Sequence, residues 1–267
     1  MPNQTELAQL ARQLSSAYVT KVPVAPPIAN FPDLSVSDAY QVQLNQINAR
    51  LEDGQTIRGY KVGLTSKAMQ DQLGVSQPDF GHLLSDMFFD DEAVIAAANY
   101  LQPKIEPEIA FVMGAPLGGP GVDAKQAEAA IGFVVPALEL IDSRVANWQI
   151  TIADTICDNA SSAGVILGRQ RTALADVDLA EVAAQLFVGQ DGVLPDQPTA
   201  CGMGADVLGS PVNALVWLAN TLGARGVSFL PGDVIMPGSL TPSFPVHVGT
   251  TATAEFSGLG SVSAVFR

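Results

Sequence analysis

Ile105-Glu106-Pro107-Glu108-Ile109-Ala110-Phe111-Val112 and, a short way on, Val134-Val135-Pro136-Ala137-Leu138-Glu139-Leu140-Ile141 are the two most telling stretches of the chain. Both are apolar enough for core strands, yet they carry three acids between them. Strand side chains alternate between faces, so Glu106 and Glu108 leave the same face, roughly 6.5–7 Å apart along the backbone. The pair alone is compatible with a solvent-facing strand edge, and Glu139 alone with a salt bridge to Arg144 or Lys104. Taken together, three carboxylates in apolar strands need a compensating cation, because burying unpaired acids is costly. Oxygen-only ligation suits Mg²⁺ or Mn²⁺, which keep open positions for water or substrate oxygens.

Outward from these strands, Leu7, Leu10 and Leu14 fall at helical spacing, and the segment Pro23 to Pro32 separates them from a second helix. That helix is expected to start at Ser37-Asp38, carry Ala39, Val42, Leu44, Ile47 and Leu51, and stop at Gly54. A strand follows over Thr56 to Leu64, then a short helix over Ser66 to Leu73 and a loop over Gly74 to Ser85. Beyond the two acidic strands, further strands are expected at Val165 to Leu167, Glu181 to Val188, Val234 to Met236 and Thr250 to Phe266. Helices are expected at Asp123 to Ala130, Ile150 to Cys157 and Pro211 to Leu222. Helix dominates early and strand late, without regular βαβ alternation, which is an α+β pattern. The organisation expected is a helical N-terminal region with lid elements at 1–80 and a β-rich catalytic domain at 81–267, or one continuous domain.

Composition removes several classes. Cys157 and Cys201 lie far apart and outside any C-x-x-C pattern, so neither a disulfide framework nor a zinc ribbon is expected, and a reducing compartment fits. The first residues lack the basic flank and continuous apolar run of a secretory signal, and Pro136 and Glu139 interrupt the most apolar segment, so a soluble cytoplasmic protein with no membrane partner is expected. A net charge of −14 with 13 scattered Lys and Arg argues against nucleic acid. The only histidines, His82 and His247, have no third zinc ligand near them in sequence. Gly202-Met203-Gly204 lacks the context of a dinucleotide fingerprint, no Walker A sequence occurs, and Ser161-Ser162 lacks the G-x-S-x-G elbow of a serine hydrolase.

Six runs, in order along nearly the whole chain, then carry a resemblance: Gly59-Tyr60-Lys61-Val62-Gly63-Leu64-Thr65-Ser66-Lys67, Gln77-Pro78-Asp79-Phe80-Gly81, Ile105-Glu106-Pro107-Glu108, Pro136-Ala137-Leu138-Glu139-Leu140-Ile141-Asp142-Ser143-Arg144, Asp158-Asn159-Ala160-Ser161-Ser162 and Gly258-Leu259-Gly260-Ser261-Val262. The chain resembles the 2-keto-4-pentenoate hydratase family of the fumarylacetoacetate hydrolase superfamily, which includes the 4-oxalocrotonate decarboxylases. The resemblance implies a fumarylacetoacetate-hydrolase-like mixed β-roll with a helical N-terminal region. It implies a divalent metal, Mg²⁺ or Mn²⁺, on Glu106, Glu108 and Glu139, with catalytic roles for Lys61, for Asp79 on a mobile loop and for Ser161. His82, Lys104 and Ser239 are expected to bind substrate. It further implies a homo-oligomer, a pentamer or decamer, a role in aromatic catabolism, and a complex with a downstream aldolase or decarboxylase. Pro107 departs from the pattern, and since proline cannot donate to a ladder, its strand is expected at a sheet edge or bulged.

The implied chemistry is hydration of 2-hydroxypenta-2,4-dienoate or a close analogue to a 4-hydroxy-2-oxo acid. A 2-oxo acid offers one carboxylate and one keto oxygen as a chelating pair, and a metal with adjacent open positions orients it and polarises C2. Lys61 is expected to shuttle a proton and Asp79 to position water. Two rivals share the scaffold: a 2-oxo-3-enedioate (4-oxalocrotonate) decarboxylase and a fumarylacetoacetate-hydrolase-type C–C bond hydrolase. The hydrolase typically pairs a histidine with a carboxylate, for which only His82 is near. A non-catalytic oligomer that keeps its metal as a staple is the remaining alternative.

Overall fold

The computed structural model describes residues 2–66, 70 and 74–267. The helices are α1 (Gln4–Thr20), α2 (Pro27–Asn30), α3 (Val36–Glu52), α4 (Ala124–Ala130), α5 (Ile152–Cys157) and α6 (Pro211–Gly223). The early strands are β1 (Ile57–Gly63), β2 (Asp79–Leu84), β3 (Phe88–Asp90), β4 (Ala93–Ile95), β5 (Lys104–Met113), β6 (Ile131–Ile141) and β7 (Ser162–Leu167). They are followed by β8 (Ala183–Gln190), β9 (Ala200–Met203), β10 (Val234–Met236), β11 (Phe244–Pro245), β12 (Thr250–Phe256) and β13 (Gly260–Phe266). Among the described residues no helix is long and apolar enough to cross a membrane.

Local chemistry explains the helix ends. Asn3 caps α1 in a reciprocal box with Glu6, and Leu7, Leu10 and Leu14 bury the inner face. Helix α3 starts earlier than expected because the cap is Ser35, whose hydroxyl accepts from Asp38 N while the Asp38 carboxylate returns to the Ser35 amide. From its buried face Gln43 donates to Phe80 O and Ile156 O, and Gln46 to Cys157 O. These amides tie α3 to β2 and α5.

Two sheets form the β structure. One runs β2-β1-β10-β5-β6-β7-β3, with β11 beside β5, and the other runs β4-β13-β12-β8-β9. Strands β5 and β6 pair antiparallel along almost their full length and set Glu106 opposite Glu139. One face of the first sheet sends Ile105, Ile109, Phe111, Leu138 and Leu140 into the main core. The other face carries a smaller cluster including Ala110, Val135, Ala137, Val165, Val234 and Met236. All three glutamates leave the sheet on this second side, by strand alternation.

Several expectations change. The loop expected over Gly74 to Ser85 is only partly a loop, since Asp79–Leu84 is a fully buried strand paired with β1. Its outer edge escaped the sequence reading because a side chain completes it: His82 N donates to Asn159 Oδ1 at 2.8 Å and Asn159 Nδ2 donates back to His82 O at 2.9 Å. The strand expected over Thr250 to Phe266 is the hairpin β12–β13, turning at Gly258 with φ 76°. The helix expected over Ser66 to Leu73 lies for the most part outside the described residues. Because β1 and β2 pair with each other, a division at residue 80 would pass through a sheet.

The expectation for Pro107 also fails: β5 is central, and its one register shift lies at Val112/Met113. The break is in the neighbour. Strand β10 pairs with β5 only at Phe111 and Val112, and β11 only at Lys104 and Ile105. Between them the connecting loop approaches Pro107, whose carbonyl accepts from Leu240 N at 3.1 Å. An imino nitrogen facing that gap leaves no ladder bond unmade.

Candidate active site

Glu106, Glu108 and Glu139 meet: one oxygen from each lies within 4.8 Å of the others. Glu108 and Glu139 are fully buried and Glu106 is half-buried at the mouth. Glu108 Oε1 and both Glu139 oxygens have no hydrogen-bond partner. Buried carboxylate oxygens left bare cost several kcal/mol as a group, on the order of 1–3 kcal/mol each. A divalent cation answers that deficit, and the all-oxygen donor set suits a hard one. Glu108 Oε2 is held separately, by the Gly238 amide at 2.8 Å.

Lys61 comes from β1, where parallel pairing with β10 carries it to the glutamate side of the sheet. It is buried, and Nζ lies 3.4 Å from Glu139 Oε1. Asp79 reaches the same space from β2, whose register sets it opposite Gly63. A Cβ on Gly63 would meet Asp79 Oδ1 at 2.2 Å and Lys61 Nζ at 3.5 Å, so acid and ammonium flank that glycine. Asp79 is therefore buried in a strand, and the mobile loop expected to carry it ends before it.

Electrostatics follow from burial and crowding. Burial, then the Glu139 charge, pushes Glu106 up to about 8, with Lys61 and Lys104 opposing. Burial raises Glu108 well above the carboxylate range, aided by Glu139 and Glu106. Burial also raises Glu139 and Asp79, against the pull of Lys61 on each. For Lys61 burial acts downward but is outweighed by Glu139, Asp79, Glu106 and Glu108, so the ammonium form is held.

Ser161 ends a turn in which Asn159, Ala160 and Ser161 all have left-handed backbone, with φ of 51°, 50° and 56°. Such conformations cost of order 1–3 kcal/mol each outside glycine and persist only where the surroundings over-determine them. Here the surroundings are a buried ion pair: Arg144 Nε contacts the Asp158 carboxylate, Arg144 N donates to Asp158 Oδ2 at 2.9 Å, and Nη1 donates to Ser162 O at 3.2 Å. The turn packs against β1 and β2, and the buried Ser161 Oγ has no partner.

The three residues expected to bind substrate separate. Lys104 shares the glutamate face of β5 at its open end, with Nζ 4.1 Å from the Trp148 ring centre, and burial lowers its pKa against the pull of Glu106. Ser239 follows Gly238, but its hydroxyl donates to Thr241 O at 2.7 Å. His82 projects from the face of β2 opposite to Asp79; its Nδ1 lies 3.1 Å from Gln43 Oε1 and its ring packs on Tyr60, so it does not meet the carboxylates. Sequence reasoning missed Gly238, Asn159 and the Arg144–Asp158 pair as structural determinants of the site. Only Pro237-Gly238, a turn-marking dipeptide, offered a local signal.

Fold and site together define an enzyme in which three strand-borne glutamates, with a buried lysine beside them, converge as a candidate site for a divalent cation. Residues 59–267 match the family model described as fumarylacetoacetate (FAA) hydrolase, C-terminal. The chain is 42% identical to a 2-hydroxyhexa-2,4-dienoate hydratase of Comamonas testosteroni, over 98% of this chain and 97% of that one. It is 39% identical to a 2-keto-4-pentenoate hydratase of Paraburkholderia xenovorans (strain LB400), over 100% and 96%. Among solved structures, 4-oxalocrotonate decarboxylase from Pseudomonas putida G7, complexed with magnesium and adipate, superposes with a TM-score of 0.94 at 34% identity, covering 100% and 99%. The chain thus belongs to the fumarylacetoacetate hydrolase family, in the group formed by the 2-keto-4-pentenoate hydratases and 4-oxalocrotonate decarboxylases.

Proposed function

We propose that this enzyme hydrates 2-hydroxypenta-2,4-dienoate or a close analogue to the 4-hydroxy-2-oxo acid, with Mg²⁺ or Mn²⁺ as its metal. The observation that carries the reading is the three-glutamate cluster with Lys61 3.4 Å from Glu139. Full-length identity of 39–42% to hydratases supports the reaction class. When bound, the cation polarises the C2 oxygen of a chelated 2-oxo acid.

The protein's own residues do the rest. Tautomerisation moves the proton of the 2-hydroxyl to C5 and yields the conjugated ketone; water then adds across C3 and C4, its oxygen to C4 and a proton to C3. Lys61 Nζ, held in its ammonium form by the neighbouring acids, donates a hydrogen bond to the C2 oxygen as its proton leaves and charge gathers there. Asp79, whose pKa burial raises, delivers a proton to C5, is recharged by the proton leaving the 2-hydroxyl, and afterwards orients water. Ser161 Oγ, buried and unpartnered, hydrogen-bonds the substrate. Lys104 lines the mouth on the same sheet face. Asp79 and Ser161 are both buried, which favours transfer to carbon over leakage to solvent.

A 2-oxo-3-enedioate decarboxylase is the second reading, supported by the likeness to the Pseudomonas decarboxylase. Both dienoates should be supplied with Mg²⁺ while C4 hydroxylation and CO₂ release are followed. A hydroxylated product without CO₂ upholds the hydratase; CO₂ release from the enedioate, with no hydration of the pentadienoate, overturns it. A C–C hydrolase is disfavoured because His82 faces Gln43 rather than an acid. We also propose a cytoplasmic homo-oligomer, pentamer or decamer, able to pass its product to an aldolase; the exposed Val193 and Val248, flanking Gln190, support a covered surface.

A further inference from the structure

The loop that fills the gap beside Pro107 has a second consequence for the glutamates. Its glycine, Gly238, has φ 122°, a conformation closed to other residues, and a Cβ there would meet Thr65 Oγ1 at 2.2 Å. Pressed against Thr65, the loop is pinned on its other side by Leu240 N on Pro107 O. Between these anchors Gly238 N donates to Glu108 Oε2 at 2.8 Å, while Glu108 Oε1 is buried and bare. The two oxygens of one carboxylate are thus made unequal by the backbone.

We infer that Gly238 is a positioning residue for cation selectivity: its amide occupies Glu108 Oε2 and leaves Oε1 as the single ligand oxygen. This rests on the metal assignment of the three glutamates. One-oxygen ligation suits a small octahedral cation such as Mg²⁺ or Mn²⁺, whereas Ca²⁺ readily takes both oxygens of a carboxylate and a larger, looser shell. Holding Oε2 by a hydrogen bond therefore favours the smaller ions.

Titration calorimetry of the metal-free protein with Mg²⁺, Mn²⁺ and Ca²⁺ tests this in wild type and Gly238→Ala. The variant should bind Mg²⁺ and Mn²⁺ about 10–100-fold more weakly, in the range of lost outer-shell partners, while Ca²⁺ changes by no more than about threefold. An equal loss for all three ions, as a merely structural role gives, or no loss, overturns the inference. Should the variant not fold, amide hydrogen exchange at Gly238 in the wild type decides. Protection that persists when Mg²⁺ is added upholds it, and protection lost on Mg²⁺ binding overturns it. A wild type that binds none of the three ions would instead sink the metal assignment.

Discussion

Lys61 Nζ stands 3.4 Å from Glu139 Oε1, with both side chains buried, yet Glu139 Oε1 receives no hydrogen bond. The lysine offsets part of the cluster's charge while the buried carboxylate oxygens of Glu139 stay without a hydrogen bond. On the proposed metal reading, charge compensation falls to Lys61 and ligation to the glutamates, so the two roles should separate on mutation.

On the proposed reading, replacing Lys61 by Ala removes a proton donor and a positive charge but none of the three glutamates. Turnover should fall by about 10²–10⁴, the usual worth of a positioned acid–base group. Mg²⁺ affinity should be kept or increase, because a competing positive charge is gone. Steady-state kinetics beside calorimetric Mg²⁺ titration checks both, and near-normal turnover would remove Lys61 from the chemistry.

The metal-free protein should lose stability as pH rises from about 4.5 to about 8. Glu106 is raised to about 8 by burial and Glu139, so the folded state holds a proton that the unfolded chain has already released. Glu108 is raised by the same causes and acts in the same direction. Bound cation replaces that proton, so adding Mg²⁺ should raise Tm more at pH 8 than at pH 5. Thermal melts with EDTA and with Mg²⁺ at the two pH values give the answer; equal Mg²⁺ shifts would contradict it.

His82 works in the opposite sense. Burial lowers it to about 4, with Arg225 adding and the Asn159 hydrogen bond opposing, so protons favour the unfolded chain as pH falls from 6.5 toward 4. The effect amounts to at most about 3 kcal/mol at pH 4. His82→Gln should flatten this part of a urea-stability profile. Because the ring faces away from the carboxylates, kcat should be largely retained, and a large loss of kcat in a folded variant would return His82 to the site.

Arg144→Met strands the Asp158 carboxylate in the core. Breaking a buried pair from one side costs about 3–5 kcal/mol, which urea denaturation will read as a lower midpoint with little change in slope. The left-handed turn at Asn159–Ser161 depends on the same pair, so kcat of the folded variant should drop as well, with Mg²⁺ affinity unchanged. A cost under about 1 kcal/mol would mean the pair is replaceable.

The acidic strands were legible because their signal is local: alternation places Glu106 and Glu108 on one face whatever the strand pairs with. Helical spacing at Leu7, Leu10 and Leu14 was equally plain, and six motifs in order pointed to the family. Strand β2 was not legible. Asp79, Gly81 and the preceding Pro78 are turn residues by type, and the partner that completes its edge, Asn159, lies 77 residues away.

Residue type and short-range spacing were enough for the α+β class and for three acids set in apolar strands, while six motifs in chain order pointed to the family and its kind of chemistry. Long-range pairing sets Glu139 opposite Glu106, brings Lys61 beside them, turns His82 away, and puts an amide 130 residues along the chain on one oxygen of Glu108. Strand register and loop closure set those meetings. Both are fixed by pairings between segments distant in sequence, which no local pattern encodes.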